Sequence, residues 1–243
     1  MSRWKAAGIH LSISFLIAIL IGSVIYFVWY PPPYFTVAGG DMLILLIMGV
    51  DIVIGPLLTL VVFRAGKRGM TFDLIVIAAL QAGAFCYGLS IIAAARPVFI
   101  VAELDRFVTV CAYQVDDADL AQASRPDFAE RSWIGPRLVG AVLPDKIDWE
   151  LTKSSLAGKD IDKMPKYYRP YSDVADSLMR KTHPLSELEK KDPQGEIARL
   201  VTRVGEPLAD LVYLPLEGRT DSYTMVISRN SKQPVGVIAI DPW

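Results

Sequence analysis

The stretch Met42–Phe63, MLILLIMGVDIVIGPLLTLVVF, decides how the chain reads. It carries one charged side chain, Asp51, in a run long enough to cross a hydrocarbon core about 30 Å thick at about 1.5 Å rise per residue. Two stretches of the same kind flank it, Ile9–Tyr30 and Phe72–Ala95. Residues 1–96 therefore read as a three-helix transmembrane domain with spans at about 9–30, 42–63 and 72–95. Residues 97–243 read as a separate domain of their own. On this reading a soluble enzyme is excluded. The first stretch is too long for the apolar core of a signal peptide and ends in Trp29-Tyr30-Pro31-Pro32-Pro33, with no small-residue cleavage site, so it reads as a retained helix.

Charge divides the chain at the same place. The 243 residues hold 25 Lys+Arg and 26 Asp+Glu. Residues 1–96 contain only Asp41, Asp51 and Asp73 against Arg3, Lys5, Arg64, Lys67, Arg68 and Arg96. A net charge of -1 offers nothing to a polyanion, so nucleic acid is not an expected partner. Bases sit at the N-terminus and between the second and third stretches, and none lies in 31–41. The positive-inside rule then places the N-terminus in the cytoplasm and residues 97–243 outside, in a periplasm. Pro31–Pro33 ends the first helix and is expected to lift the chain off the membrane as a stiff extended segment, with a docking surface as the other reading.

Asp51 carries the most weight. A carboxyl near the middle of a spanning helix costs about 2.5 to 3.5 kcal/mol, so something must compensate it. Gln81 and Ser90 of the third stretch are the internal candidates. Protonation, a group on a partner's transmembrane helix, and a proton or ion path are the others; a single acid with no inverted repeat argues against a transporter. Gly49 and Gly55 beside it permit close helix approach, and Pro56 frees the Ile52 carbonyl one turn past Asp51. Asp51, Gly49, Gly55, Pro56 and Gln81 are thus the intramembrane partner or packing candidates.

The outer half reads as α+β. Pro97–Cys111 is expected to form a hairpin, Asp116–Ser124 a short helix capped by Asp116, and Arg137–Leu143 a strand. Ile147–Val204 is helix-prone: Asp173 is expected to cap a helix running through Met179, and Ser186-Glu187-Leu188-Glu189 has a capping-box pattern. Ile197, Leu200, Val201 and Val204 mark one buried helical face. Leu211–Leu216, Tyr223–Ser228 and Val235–Ile240 are expected to form an antiparallel meander. The order of elements is PAS-like, an analogy of fold alone. Tyr167, Tyr168 and Arg169, in an aromatic and basic cluster, are the outer contact candidates.

No motif for catalysis, for a metal or for another cofactor is present. His10 and His183 have no partner at ligand spacing, Cys86 and Cys111 read as two free thiols, and GxSxG, HExxH and a phosphate-cradling glycine loop are absent. The expectation is that the protein is not an enzyme and has no metal site.

Taken together, Tyr30-Pro31-Pro32-Pro33-Tyr34-Phe35, Gly39-Gly40, Gly49-Val50-Asp51, Gly55-Pro56-Leu57-Leu58-Thr59-Leu60, Phe63 with Lys67, Asp73, Gln81, Tyr87-Gly88, Arg96-Pro97-Val98 and the closing Gly236–Pro242 resemble the TfpX/TfpZ family of type IV pilin accessory proteins. The central outer region, roughly 116–204, shows no matching motif. The resemblance implies an inner-membrane protein, without enzyme activity, that assists the stability, assembly or dynamics of its cognate major pilin. Its partners would be that pilin, membrane lipid and other pilus-assembly proteins. In the two-point picture, the bundle holds the pilin's helix while residues 97–243 recognise its head. Two rival classes stand beside it: a membrane-anchored sensor subunit, which would need a separate signalling partner, and a membrane enzyme modifying the pilin, which would need paired catalytic groups near the outer interface that Asp41 alone does not supply.

Overall fold

Apolar stretches of this length bury their backbone hydrogen bonds as helices, and the computed structural model shows three. It describes residues 2–65, 67–144, 146 and 149–243, without the side chains of Leu46, Ile47, Val50 and Glu150. Helix α1 spans Arg3–Val24, with Ser2 accepting from Lys5 N at its start, and runs on as one wider π turn, Ile25–Trp29. A short helix α2, Tyr34–Val37, follows the prolines. Helix α3 is Gly40–Val62 with Pro56 inside it, and α4 is Met70–Ala95. α1 and α4 are long and apolar enough to cross a membrane, by length and composition. α3 has 23 residues and lies between them, against both.

The segment of prolines does not stand off as expected. Tyr34 and Val37 of α2 pack into the core of the following domain, and Arg219 N donates to Val37 O at 2.9 Å. Burial of two apolar side chains outweighs the preference of a proline run for a solvated extended chain.

That domain is a mixed, eight-stranded sheet: β1 Pro97–Glu103, β2 Arg106–Cys111, β3 Arg137–Ala141, β4 Tyr168–Pro170, β5 His183–Pro184, β6 Leu211–Glu217, β7 Ser222–Ser228 and β8 Pro234–Ile238. The order is β4-β3-β1-β2-β6-β7-β8, with β5 sharing the β2 edge of β6. The β1–β2 hairpin and the β6–β7–β8 meander form as expected, all antiparallel. The two parallel pairs, β1 with β3 and β2 with β6, join segments far apart in sequence.

Period-2 alternation puts Ile100 and Ala102 of β1 on one face with Val212, Leu214 and Leu216 of β6, while Phe99 and Val101 point to the other. Both faces are covered, which is why these strands are apolar throughout. Of the remaining helices, α5 (Asp117–Leu120) is capped by Asp116 as expected but ends four residues short of Ser124, α6 is Trp149–Leu156, and α7, Tyr171–Met179, begins before Asp173, which lies in its first turn and not at its cap. α7 covers the first face through Val174, Ala175 and Leu178. α8, Glu196–Val204, buries Ile197 and Leu200 against Leu211, Val226 and Ile238. The expected start of the helix-prone region at Ile147 lies outside the described residues.

Two further local expectations are corrected. Ser186 caps nothing, because Leu185–Lys191 is a 3-10 stretch. The carboxylate of Asp192 instead accepts from Glu196 N and Ile197 N, both at 2.8 Å, and so caps α8. The third strand stops at Ala141, two residues short of Leu143.

Candidate functional site

Asp51, Gly55 and Thr59 recur every four residues on α3 and so share one face. That face meets α1 and α4 at a cavity of about 320 Å³, whose lining includes Asp51, His10, Ser14 and Gln81. The His10 ring Nδ1 and Thr59 Oγ1 lie 2.6 Å apart, joining α1 to α3. Gln81 of α4 rests on the backbone of Gly55: a Cβ built at residue 55 would overlap its amide group. Gly55 thus admits a polar side chain between two helices. Gln81 Oε1 is buried and has no hydrogen-bond partner among the described residues.

The internal bond expected between Asp51 and Gln81 or Ser90 is not formed among the described residues. Ser90 Oγ donates to Tyr87 O of its own helix. The cluster therefore offers acceptor oxygens, on the Asp51 carboxyl group and at Gln81 Oε1, to a hydrogen-bond donor. Its polar groups stop where Ile25, Tyr30, Ala38 and Ile92 pack together, so no polar series continues to the far end of the helices among the described residues. His10 and Thr59 were missed from sequence. The four-residue spacing of Asp51, Gly55 and Thr59 was the available signal. Pro56 lies next to this face, half-buried, and Gly49 lines a different cavity of about 930 Å³.

A second constellation fixes the helices to the sheet domain. Tyr30 OH donates to Ile92 O at 2.8 Å, tying the end of α1 to α4. Gly135 N donates to Val28 O at 2.7 Å. Arg96, buried at the end of α4, donates through Nε to Ser132 O at 3.0 Å and lies 3.7 Å over the Trp133 ring. Trp133 also approaches Trp29, ring centroid to ring centroid 5.8 Å. Gly135 has φ +60, and a Cβ there would meet Pro31 Cγ at 2.7 Å, so both its conformation and its space call for glycine.

Of the outer candidates, Tyr168 is corrected. It sits in strand β4, fully buried, with edge contacts to Phe99 and Phe128 and its hydroxyl donating to Asp162 O. A central aromatic with a satisfied hydroxyl is core, not contact surface. Tyr167 is half-buried and Arg169 exposed, so only these two of the cluster reach solvent. Cys86 is exposed and Cys111 buried, both free. Among the described residues no group of three His, Cys, Asp or Glu is placed to hold a metal.

Long apolar helices bound side by side and locked at one end to a mixed-sheet domain define a protein of two parts, an apolar helical bundle and an appended α+β domain. The comparisons place it more closely. The chain is 30% identical over 250 residues to the "Fimbrial assembly protein, serogroup I" of Dichelobacter nodosus, spanning 98% of this chain and 95% of that relative. It is 30% identical over 246 residues to the serogroup E1 protein, with the same coverage. Against the protein of serogroups C1 and C2 identity is 43% over 103 residues, 42% of this chain and 79% of the relative. The family profile described as Fimbrial assembly protein FimB matches residues 1–39. The chain belongs to this fimbrial assembly protein family. No solved structure matches it.

Proposed function

We propose that the chain is an inner-membrane accessory protein of type IV pilus biogenesis, of the TfpX/TfpZ kind, which holds its cognate major pilin at two points without catalysing a reaction. The observation that carries this reading is the near end-to-end similarity to fimbrial assembly proteins. In this proposal α1, α3 and α4 all span the membrane, with the N-terminus and residues 64–68 cytoplasmic and residues 97–243 periplasmic. The geometry suits such a task. Side chains such as Leu16, Leu20, Val61 and Leu80 are left exposed on the helices, as surfaces facing lipid or a partner helix are. The junction at Arg96 and Trp133 holds the sheet domain in one place relative to them, so a contact in the membrane and one outside lie at a set distance.

The test is photocrosslinking in intact cells from probes at Leu57, exposed on α3, and at Arg169 outside. Major pilin trapped at both sites is the expected result. A folded protein that traps pilin at neither would overturn direct holding.

A further inference from the structure

The turn between β6 and β7 hangs over the first half of α3. Gly218 N donates to Asp221 O at 3.0 Å and Arg219 N to Val37 O at 2.9 Å, so the turn is seated on α2 and its side chains are brought over the helix below. Between them opens the cavity of about 930 Å³ that Gly49 lines. Its two ends differ in chemistry. Along α3 the wall is Met42, Leu45, Gly49, Val53 and Ile54, some 18 Å of helix at about 1.5 Å per residue. Met42 and Leu45 are 78% and 76% exposed, and a Cβ at Gly49 would touch nothing, so the wall is an open apolar furrow. At the mouth stand Arg219, Asp41 and Asp221.

Arg219 makes no ion pair among the described residues, although two carboxylates share the cavity with it. Asp221 accepts from Thr220 Oγ1 at 2.8 Å, and among the described residues Asp41 Oδ1 accepts from the adjacent Met42 N alone, at 2.9 Å. One unpaired guanidinium and two carboxylates at the rim of a furrow select their occupant by charge. A purely anionic headgroup gains Arg219 and is repelled by both acids. An apolar polypeptide helix fills the furrow and leaves all three charges without partners. A headgroup with a phosphate and a primary ammonium satisfies both signs, because guanidinium matches phosphate oxygens and the carboxylates match the ammonium.

We propose that this cavity is a binding site for an aminophospholipid, with its phosphate on Arg219, its ammonium between Asp41 and Asp221, and one acyl chain laid along Leu45, Gly49 and Val53. The site rests on the reading that α3 spans the membrane with its Gly40 end at the outer headgroup level. The bound lipid would fill the space between the sheet domain and the helices, so that lipid composition bears on how firmly the two are held.

The test uses full-length protein in vesicles of equal phosphatidylethanolamine and phosphatidylglycerol. After extraction in mild detergent, the retained lipid is measured by mass spectrometry. Phosphatidylethanolamine enriched about fivefold over the vesicle ratio is expected, the preference that one partly screened ion pair supplies. Arg219→Gln and, independently, Leu45→Trp, which fills the furrow without touching a charge, should both abolish the enrichment. Asp41→Asn combined with Asp221→Asn should turn it toward phosphatidylglycerol. Leu80→Trp, on an exposed face of α4 outside the cavity, should leave it unchanged. Retained lipid that mirrors the vesicle, or an enrichment indifferent to both Arg219→Gln and Leu45→Trp, overturns the site. Alkaline carbonate washing of the same vesicles separates the two readings: protein released by the wash means the spanning reading has failed, whereas protein that stays embedded without selective lipid means only this site has.

Discussion

At the scale of single residues, the outer domain holds an acid that burial has made a pH-dependent element. Glu103 closes β1, with Oε2 buried and unpartnered among the described residues, and Asp162 Oδ1 is in the same condition. Burial, and next the charge of Asp162, push the Glu103 carboxyl up to about 7 from an ordinary 4.5. Arg106 works the other way but is engaged with Glu217 at 2.6 Å and Asp105 at 3.1 Å, and Asp160 and Glu217 add to the repulsion. Burial also raises the Asp162 carboxyl, against the pull of Lys163. The folded state therefore binds a proton at Glu103 more tightly than the unfolded chain does. Its stabilising contribution is complete below about pH 4.5 and is lost as pH rises through about 7. The full-length protein in detergent should melt at a lower temperature at pH 8 than at pH 5.5. Glu103→Gln, which cannot ionise, should shrink that difference while leaving the melt at pH 5.5 nearly in place. Equal pH slopes for the two proteins, measured by calorimetry, would remove Glu103 from the effect.

At the scale of elements, the packing of α3 on α4 turns on one missing methyl group. Gly55 leaves room for the Gln81 amide, and Gly55→Ala drives a Cβ into it. Overpacking of this kind costs about 1–3 kcal/mol. Gln81→Ala removes the obstacle, so adding Gly55→Ala to Gln81→Ala should cost much less than it does in the native background. Thermal unfolding of the four proteins in one detergent measures that coupling, and strictly additive effects would show that the two residues do not meet. Sequence reached only part of this. The small residues around Asp51 were readable, but which side chain entered the space at Gly55 depended on the register of α4 against α3. No local pattern encodes that register. The same holds for His10, whose partner Thr59 lies 49 positions away. In the outer domain, the hairpin, the meander and the face of α8 were legible because each repeats with a period along one short segment. The parallel pairing of Phe107 with Leu216 was not, since it joins strands more than a hundred residues apart. Nor was the cap of α8, where two acceptors competed: Asp192 lies beside the αL Gly195 that begins the helix, and Ser186 is spent in a 3-10 turn.

At the scale of the whole molecule, the junction constrains how the chain can sit in a bilayer. The end of α1 is tied to the end of α4 through Tyr30 and Ile92, and both meet the sheet domain through Trp29, Arg96 and Trp133. The Gly40 end of α3 is there too, because α2 is packed into the same domain. Three helix ends therefore share one side, and the turn that carries Arg64, Lys67 and Arg68 belongs to the opposite end of α3 and α4. If α1 and α4 cross a membrane, α3 of 23 residues, packed between them, crosses with them and brings those bases to the cytoplasmic face, where such residues concentrate. The expected outcome is asymmetric labelling of single cysteines introduced after Cys86 and Cys111 have been replaced by serine. In intact spheroplasts a membrane-impermeant thiol reagent should modify Arg169→Cys and spare Arg68→Cys, and lysis should expose the latter. Labelling of both positions before lysis would mean that the end of α3 and α4 bearing Arg64, Lys67 and Arg68 does not reach the cytoplasm, and the spanning reading of both helices would fall with it.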